Sequence, residues 1–241
     1  CWLLNERSGR TVRDLSNKQN HGTFVNETFW SPAGINADGT NDSVNFSWSK
    51  LKITTYPFTI VTAGKHHTLD SPSGTILFSD SDQTQGHFLV GIQDTNDAMA
   101  ASYGNSTDGF DAAFSVKKLV AGEHYHVVGE FKSTTLRQVW LNGVGPVSNT
   151  SSNTVNFANI DRFNFFLLDR VVDDYYKAKD VEYVYIYSRD LSPSEIQSLY
   201  VSPYQFVEQR KVWSSAGWPH KVLGVTPSKV AGVTPVKVIG V

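Results

Sequence analysis

Residues 123–144 limit the fold of this chain more than any other stretch, because they have the pattern of a long β-hairpin. In the first arm apolar residues alternate with polar ones, and successive side chains of a strand point to opposite faces. Residues 132–135 would form a polar turn, residues 136–141 the return strand, and Asn142-Gly143 a closing turn. The pattern predicts one buried face and one polar face. The apolar set is Tyr125, Val127 and Phe131, and the polar set is His124, His126 and Glu130.

The rest of residues 1–200 consists of short stretches with strand character, separated by clusters of Gly, Asn, Asp, Ser and Pro. Helical periodicity is confined to residues 193–200, where Ser192 is a good N-cap and Glu195 completes a capping box. We therefore predict an all-β fold, an antiparallel jelly-roll β-sandwich with one short closing helix. Besides the hairpin, the predicted strands are 23–29, 43–48, 57–63, 75–79, 87–93, 99–103, 110–116, 163–168 and 181–187.

The last part of the chain has a different character. Residues 221–241 repeat the octad Lys-Val-x-Gly-Val-Thr-Pro-x, with a proline in each full copy. Proline interrupts a strand ladder, and this segment has no aromatic side chain with which to build a core. We therefore predict a sandwich domain at residues 1–203 and an extended C-terminal tail at residues 204–241 that docks on other protein subunits.

Composition excludes several classes of partner. The formal net charge is -2 at pH 7, so the chain lacks the basic surplus that neutralises nucleic-acid phosphates. No apolar run reaches membrane-spanning length, so we expect neither a nucleic-acid nor a membrane partner. The single cysteine, Cys1, cannot form an intrachain disulfide. Because residues 2–4 follow it directly with the character of a core strand, a truncated start is favoured over a lipid-anchored cysteine.

Six stretches together point to a known type of domain. They include Asp-Gly-Thr-Asn-Asp-Ser-Val at residues 38–44 and Leu-Asn-Gly-Val at residues 141–144. The other four are residues 14–22, 57–60, 125–129 and 184–192. Their order and content resemble the laminin-G/pentraxin-type jelly roll of the concanavalin A-like lectin/glucanase superfamily. The resemblance covers most of residues 1–200 and implies two antiparallel sheets, binding of carbohydrate or protein, and often a calcium ion.

A candidate calcium site follows from one carboxylate and from this resemblance. Glu182 shares a strand face with Val184 and Ile186, so it would lie at the inward rim and need a partner if those two face the core. Calcium takes several oxygen ligands, and the resemblance implies such an ion near these positions. A salt bridge at the rim or a solvated glutamate is the alternative. The candidate ligands are Asp14, Asn17, Asn20 and Glu182.

Aromatic residues beside loops are candidates for stacking on sugars, with packing in the core as the alternative. The candidates are Trp30, Trp48 and Tyr103. The pair His124 and His126 has no third metal ligand implied, so we interpret His126 as structural. A glycosidase needs two carboxylates across a cleft, and no strand carries a closely spaced acidic pair. The sequence therefore predicts a protein that is not an enzyme.

Two hypotheses of function remain from the sequence. The octad tail favours a structural or display module of a larger assembly, most simply a phage virion, with the sandwich exposed and the tail as its anchor. The resemblance favours a calcium-dependent carbohydrate-binding adhesin or lectin domain of a bacterial surface protein, with cell-surface glycans as partners. Both place the protein outside the cell or on a virion surface.

Overall fold

The computed structural model describes residues 1–51, 53–67, 69, 73–80, 86–92, 97–104, 109–166 and 178–205. The chain forms two units, Cys1–Val201 and Ser202–Val241. The first is a sandwich of two antiparallel sheets, which confirms the predicted fold class. Of the second, residues 202–205 are described, so the octads of the predicted tail lie outside the described residues. No described helix is long and apolar enough to cross a bilayer.

One sheet has eight strands. In spatial order they are β1 (Thr11–Val12), β2 (Gly22–Val25), β5 (Ser43–Phe46), β14 (Arg162–Phe165), β7 (Ser73–Ser79), β8 (His87–Ile92), β9 (Asp97–Tyr103) and β10 (Phe110–Lys118). The strands β7 to β10 follow one another as an antiparallel meander. The strands predicted at residues 75–79, 87–93, 99–103 and 110–116 are therefore confirmed in this sheet, with slightly different ends.

The other sheet has seven strands. Their spatial order is β13 (Val144–Asn149), β12 (Leu136–Leu141), β11 (His124–Ser133), β6 (Phe58–His66), β15 (Ala178–Tyr187), β4 (Gly34–Asp38) and β3 (Phe29–Ser31). Two short helices complete the unit, α1 (Trp48–Leu51) and α2 (Pro193–Val201). The sequence predicted α2 but not the single turn of α1.

An aromatic core fills the space between the sheets. Phe58 of β6 stacks on Phe131 of β11 with ring centroids 4.7 Å apart. Phe58 also meets Phe88 of β8 edge to face at 5.0 Å, so the two inner faces interlock through aromatic pairs. Residues at alternate positions of the strands supply this core, as the period of two requires.

The outer face of the seven-stranded sheet is also buried, which corrects the prediction of a polar face on β11. Leu191, Ile196 and Leu199, at and before α2, pack on Val128 and Tyr185 of this face in a second apolar cluster. His126 and Glu130, predicted to face solvent, are each only 1% exposed. A strand covered on both faces no longer follows an inside-outside pattern.

Glu130 ties this covering layer to the sheet. Its Oε2 accepts a hydrogen bond from Trp140 Nε1 at 2.9 Å, and its Oε1 accepts one from the Leu191 backbone N–H at 3.2 Å. The helix that follows is capped as the sequence predicts. The Ser192 backbone N–H donates to Glu195 Oε2 at 2.9 Å, and the Glu195 N–H donates to Ser192 Oγ at 3.3 Å.

The hairpin extends further than the sequence indicates. Its first turn lies between β11 and β12, and Asn142-Gly143, both at positive φ, then leads into the additional strand β13. Register shifts occur between Phe131 and Ser133 in the β11–β12 pair and between Val139 and Leu141 in the β12–β13 pair. The hairpin is therefore the first half of a three-stranded meander with two irregularities.

Candidate functional site

An aromatic surface lies at one end of the eight-stranded sheet, on the face turned away from the core. Tyr103, the last residue of β9, stacks on His87, the first residue of β8, with ring centroids 5.3 Å apart and an interplanar angle of 4°. On the other side of Tyr103, Phe110 begins β10 and is its register partner. Directly opposed residues of an antiparallel pair share a face. We call these three side chains, His87, Tyr103 and Phe110, the aromatic platform.

The platform is buried at its β8 end and exposed at its β10 end. His87 is buried, Tyr103 is half-buried, and Phe110 is 43% exposed. Gly86, at φ +105, precedes His87, and a Cβ there would press on the Tyr103 carbonyl oxygen. Glycine at this position therefore allows β8 to begin close against the end of β9. The result is a row of three rings in which a ligand can reach Tyr103 and Phe110.

Phe114 continues the apolar surface along β10. It lies four residues after Phe110, on the same face, and pairs with Met99 of β9. Ala101 and Ala112, opposite one another between the platform and Met99, are buried on this face with Leu77 and Leu89. The outer face of this sheet is therefore apolar in its middle and aromatic at its β10 side.

The other two aromatic candidates are packing residues. Trp30 contacts Phe24 with ring centroids 4.9 Å apart, and its Nε1 donates to the Gly9 carbonyl at 2.8 Å. Trp48 packs against Phe78 of the core at 5.5 Å. Of the three candidates, the half-buried Tyr103 is the one that strand pairing places beside the exposed ring of Phe110.

Asp14, a candidate calcium ligand, organises its own loop. Its Oδ1 accepts hydrogen bonds from the Cys1 amino group and the Ser16 N–H, each at 2.9 Å. Its Oδ2 accepts from Ser16 Oγ at 2.8 Å and from the Asn20 N–H at 2.9 Å. Burial opposes the charged carboxylate, but the hydrogen bonds from Ser16, the Cys1 amino group and Asn20 outweigh it and lower the pKa of Asp14. Four donors of this chain therefore occupy the carboxylate.

Two of the remaining calcium candidates, Asn20 and Glu182, contact other groups of the chain. Asn17 is exposed, and Asn20 Oδ1 accepts from the Ser47 N–H at 3.1 Å. Glu182 Oε2 lies 3.1 Å from His124 Nε2. Within the described ranges, no group of three or more His, Cys, Asp or Glu side chains is placed to hold a metal ion. Asp14, Asn20 and Glu182 thus each contact other groups of the chain, and the calcium site stays a prediction.

A bulge explains why Glu182 contacts His124. The register of β15 against β6 shifts between Val181 and Tyr183, which leaves Glu182 as the extra residue. Val181 belongs to the core between the sheets, whereas Tyr183 belongs to the outer cluster under α2. A bulge re-aims side chains, so Glu182 does not share the inward face of Val184 as the strand pattern predicted.

Sequence reasoning missed two of the three platform residues. His87 and Phe110 reach Tyr103 only through strand pairing, across segments of the chain that separate β8, β9 and β10. The signal that could have found them is the meander itself. Once three successive strands are paired, their end residues must form one row.

Comparisons with known proteins agree with this fold. A family model described as the concanavalin A-like lectin/glucanases superfamily matches residues 38–197, well over half of the chain. Trypanosoma rangeli sialidase in complex with sialic acid has a similar structure, with TM-score 0.65 and 17% identity. That match covers 84% of this chain and 32% of the sialidase chain. No curated protein sequence matches significantly.

Botulinum neurotoxins give further structural matches. One is the binding domain of botulinum neurotoxin DC in complex with SialylT, with TM-score 0.62 and 11% identity, covering 81% of this chain and 49% of that one. Another is botulinum neurotoxin type C, whose cell entry depends on interaction with two ganglioside molecules. That match has TM-score 0.59 and 13% identity, and it covers 81% of this chain and 49% of the neurotoxin chain. This chain thus spans a third to a half of these proteins, and at such identities the likeness concerns the fold.

Proposed function

The chain belongs to the concanavalin A-like lectin/glucanases superfamily, and on this premise we propose that it is a non-catalytic module that binds glycans on the aromatic platform. The observation that carries the proposal is the row of His87, Tyr103 and Phe110 on one sheet face, with Phe110 43% exposed. The sheet backbone holds all three rings, so little conformational freedom is lost when a ligand binds.

The chemistry of the platform suits a sugar ring. A pyranose has an apolar face of C–H groups and a rim of hydroxyls, and an aromatic ring next to a polar tip meets both. Tyr103 offers its ring and its hydroxyl together, and the stacked His87 fixes its orientation from behind. Phe110 widens the apolar surface to the edge of the sheet. A glycan lying across β9 and β10 would contact both rings at once.

The similar structures support the choice of ligand class. They include a sialidase in complex with sialic acid, a neurotoxin binding domain in complex with SialylT, and a neurotoxin whose cell entry depends on two ganglioside molecules. Arg162 of β14 lies in the same cross-strand row as the platform, through Ser79 and His87. A guanidinium pairs well with a carboxylate, and Arg162 Nη1 already lies 3.1 Å from Asp161 Oδ2, so a glycan carboxylate would compete with Asp161 for it. Acidic glycans therefore belong in the first screen beside neutral ones.

A non-catalytic role is consistent with the contacts of Asp97, an acidic residue of this face. Hydrolysis of a glycosidic bond by the usual route requires two carboxyl groups that flank the bond. Asp97, at the start of β9, forms an ion pair with Lys118 Nζ at 2.7 Å. Its carboxylate is therefore neutralised on the sheet and lies at the end of β9 opposite to the platform residue Tyr103.

The test is a glycan array of neutral and sialylated structures, probed with and without calcium, followed by calorimetry on the best ligand. Tyr103→Ala and Phe110→Ala should each weaken binding about 5- to 10-fold, since loss of an aromatic contact costs ~1–1.5 kcal/mol. Phe29→Ala is the matched control, because Phe29 is 52% exposed but lies on β3 of the other sheet.

A blank array in both conditions would refute glycan binding. If a glycan binds and both platform variants keep the affinity of the unaltered protein, the binding site lies elsewhere on the protein. The comparison with and without calcium tests the calcium site predicted at Asp14, Asn17, Asn20 and Glu182. Glycan binding that persists after calcium is chelated would count against a calcium-dependent lectin.

The virion role remains a separate prediction. It rests on the octads of residues 221–241, which lie outside the described residues. Docking on other subunits through this tail, and display outside the cell or on a virion, remain predictions in the same way. A deletion of residues 204–241 that left assembly intact would refute that docking.

A further inference from the structure

The most exposed ring of the aromatic platform is held through the residues on either side of it. Phe110 is 43% exposed, and Gly109 and Asp111 flank it in the chain. Asn153 Nδ2 donates to the Gly109 carbonyl oxygen at 2.9 Å and to Asp111 Oδ2 at 3.4 Å. Asn153 is 0% exposed, so a single buried amide contacts both neighbours of the ring.

The bond to Gly109 matters because glycine restricts the backbone less than any other residue. Gly109 has φ +68, and a Cβ placed on it would meet no atom within 4 Å. Side-chain packing therefore does not fix this position, and a hydrogen bond to its carbonyl oxygen is the restraint that the fold supplies. Without that bond, more conformations would be open to the first residue of β10.

Asn153 is in turn tied to the other sheet. Its backbone N–H donates at 2.8 Å to the carbonyl of Thr134, in the turn between β11 and β12. Arg137 of β12 is 1% exposed, and its Nη2 donates to the carbonyls of Thr134 and Ser151 at 3.2 Å and 3.1 Å. Its Nη1 donates to Asn149 Oδ1 at 2.6 Å. The buried guanidinium thus fixes the segment that leads from β13 to Asn153.

The same guanidinium fixes which way the start of β10 faces. Arg137 Nη1 lies 3.9 Å from Asp111 Oδ2, so this ion pair joins the seven-stranded sheet to the eight-stranded sheet. Burial lowers the pKa of Arg137 and the Asp111 carboxylate opposes that shift, as expected of a buried cation with its counter-charge. Successive residues of a strand point to opposite faces, so an Asp111 side chain held inside places Phe110 on the outer face.

The segment after Asn153 also contacts the other end of the platform. Val155, two residues later, is 4% exposed. A Cβ on Gly86, the residue before His87, would lie 3.1 Å from Val155 Cγ1. Residues 153–155 therefore contact the backbone beside both end rings of the row, His87 and Phe110.

From these contacts we infer that Asn153 is a positioning residue of the glycan site, an inference that rests on the proposed function of the platform. Asn153 holds Phe110 in the row with Tyr103 before a ligand arrives, and Arg137 holds Asn153. A glycan then meets two rings that are already ordered, so the free energy of ordering Phe110 is not subtracted from the binding free energy.

Backbone NMR relaxation of the full chain measures this role without a ligand. Asn153→Ala should lower the order parameters of residues 109–111 from the ~0.85 of a rigid strand towards ~0.6. Thr28→Val is the matched control, because Thr28 is a buried polar residue in the loop between β2 and β3. Its Oγ1 donates to the carbonyls of Val25 and Ser43 at 2.8 Å and 3.1 Å. The control should leave residues 109–111 rigid.

A double-mutant cycle then tests whether Asn153 acts through Phe110. On the glycan that binds best, Asn153→Ala should weaken binding about 3- to 10-fold, the cost of ordering one side chain at the site. In the Phe110→Ala background the same substitution should change the affinity less than ~2-fold, because the ring that Asn153 positions is absent. A loss of folded protein would instead weaken binding equally in both backgrounds.

Circular dichroism of each variant establishes that it folds. If Asn153→Ala does not fold, Asn153→Leu takes its place in both experiments, since leucine fills a similar volume but offers no donor to Gly109.

The inference fails if residues 109–111 stay rigid in Asn153→Ala, if Thr28→Val makes them equally mobile, or if the loss of affinity is as large without the Phe110 ring as with it. Each of these results leaves the glycan platform standing, because Tyr103→Ala and Phe110→Ala test it separately. A blank glycan array has the opposite meaning. It overturns the proposed function, and with it the site for which Asn153 would position Phe110.

Discussion

Acid should destabilise the protein through His126, which lies under helix α2. Its side chain is 1% exposed. Its ring lies between those of Tyr183 and Tyr200, at centroid distances of 6.3 Å and 5.6 Å. Neither ring nitrogen has a hydrogen-bond partner. Burial, followed by the charge of His124, lowers the pKa of His126 to about 4. The folded state therefore holds this histidine neutral.

The size of the effect follows from the difference in pKa between folded and unfolded chains. The unfolded histidine titrates near 6.5, so the unfolded chain takes up the proton first as pH falls. Stability from this group is fully present above about pH 6.5, declines below it and is lost by about pH 4. A shift of about 2.5 units at 1.36 kcal/mol each corresponds to ~3 kcal/mol. That is a large part of the stability of an ordinary domain.

Urea unfolding at about pH 7 and about pH 4 measures this loss. His126→Phe removes the group that takes up the proton while keeping an aromatic ring between the two tyrosines. Between pH 7 and pH 4 the unfolding free energy of this variant should therefore fall by ~3 kcal/mol less than that of the unaltered protein. His21→Phe, at an exposed histidine directly before β2 of the other sheet, controls for replacing a histidine. An equal pH-dependent loss in His126→Phe and the unaltered protein would refute the argument.

Three further substitutions test the layers around β11. Glu130→Ala deprives the Trp140 indole of its acceptor and should lower the unfolding free energy by ~1–3 kcal/mol in urea titration, whereas Glu130→Gln, which keeps an acceptor, should cost less. Gly64→Ala should cost ~3 kcal/mol or more and lower the melting temperature sharply, because its Cβ would overlap the carbonyl oxygen of Asp180 in the paired strand. Ser192→Ala removes the cap of α2 and should cost ~1 kcal/mol by the same titration, and no change would mean that Glu195 caps the helix alone.

The strands could be predicted from sequence because strand character bounded by turn residues is a local signal. Strands β7 to β10 are short stretches of this kind next to clear turns, and their positions are close to those predicted. The outer face of β11 could not be predicted in this way. Whether His126 and Glu130 meet water depends on α2, which is placed there by tertiary packing about 60 residues later in the chain.

The candidate site shows the same division. Tyr103 could be selected because an aromatic residue beside a turn is visible in the sequence. Its partners His87 and Phe110 depend on which strands pair and in which register, and sequence alone does not contain that information. Glu182 shows the opposite failure. A strict period of two places Glu182 on the same face as Val184, but the bulge at residue 182 interrupts that period and turns the side chain elsewhere.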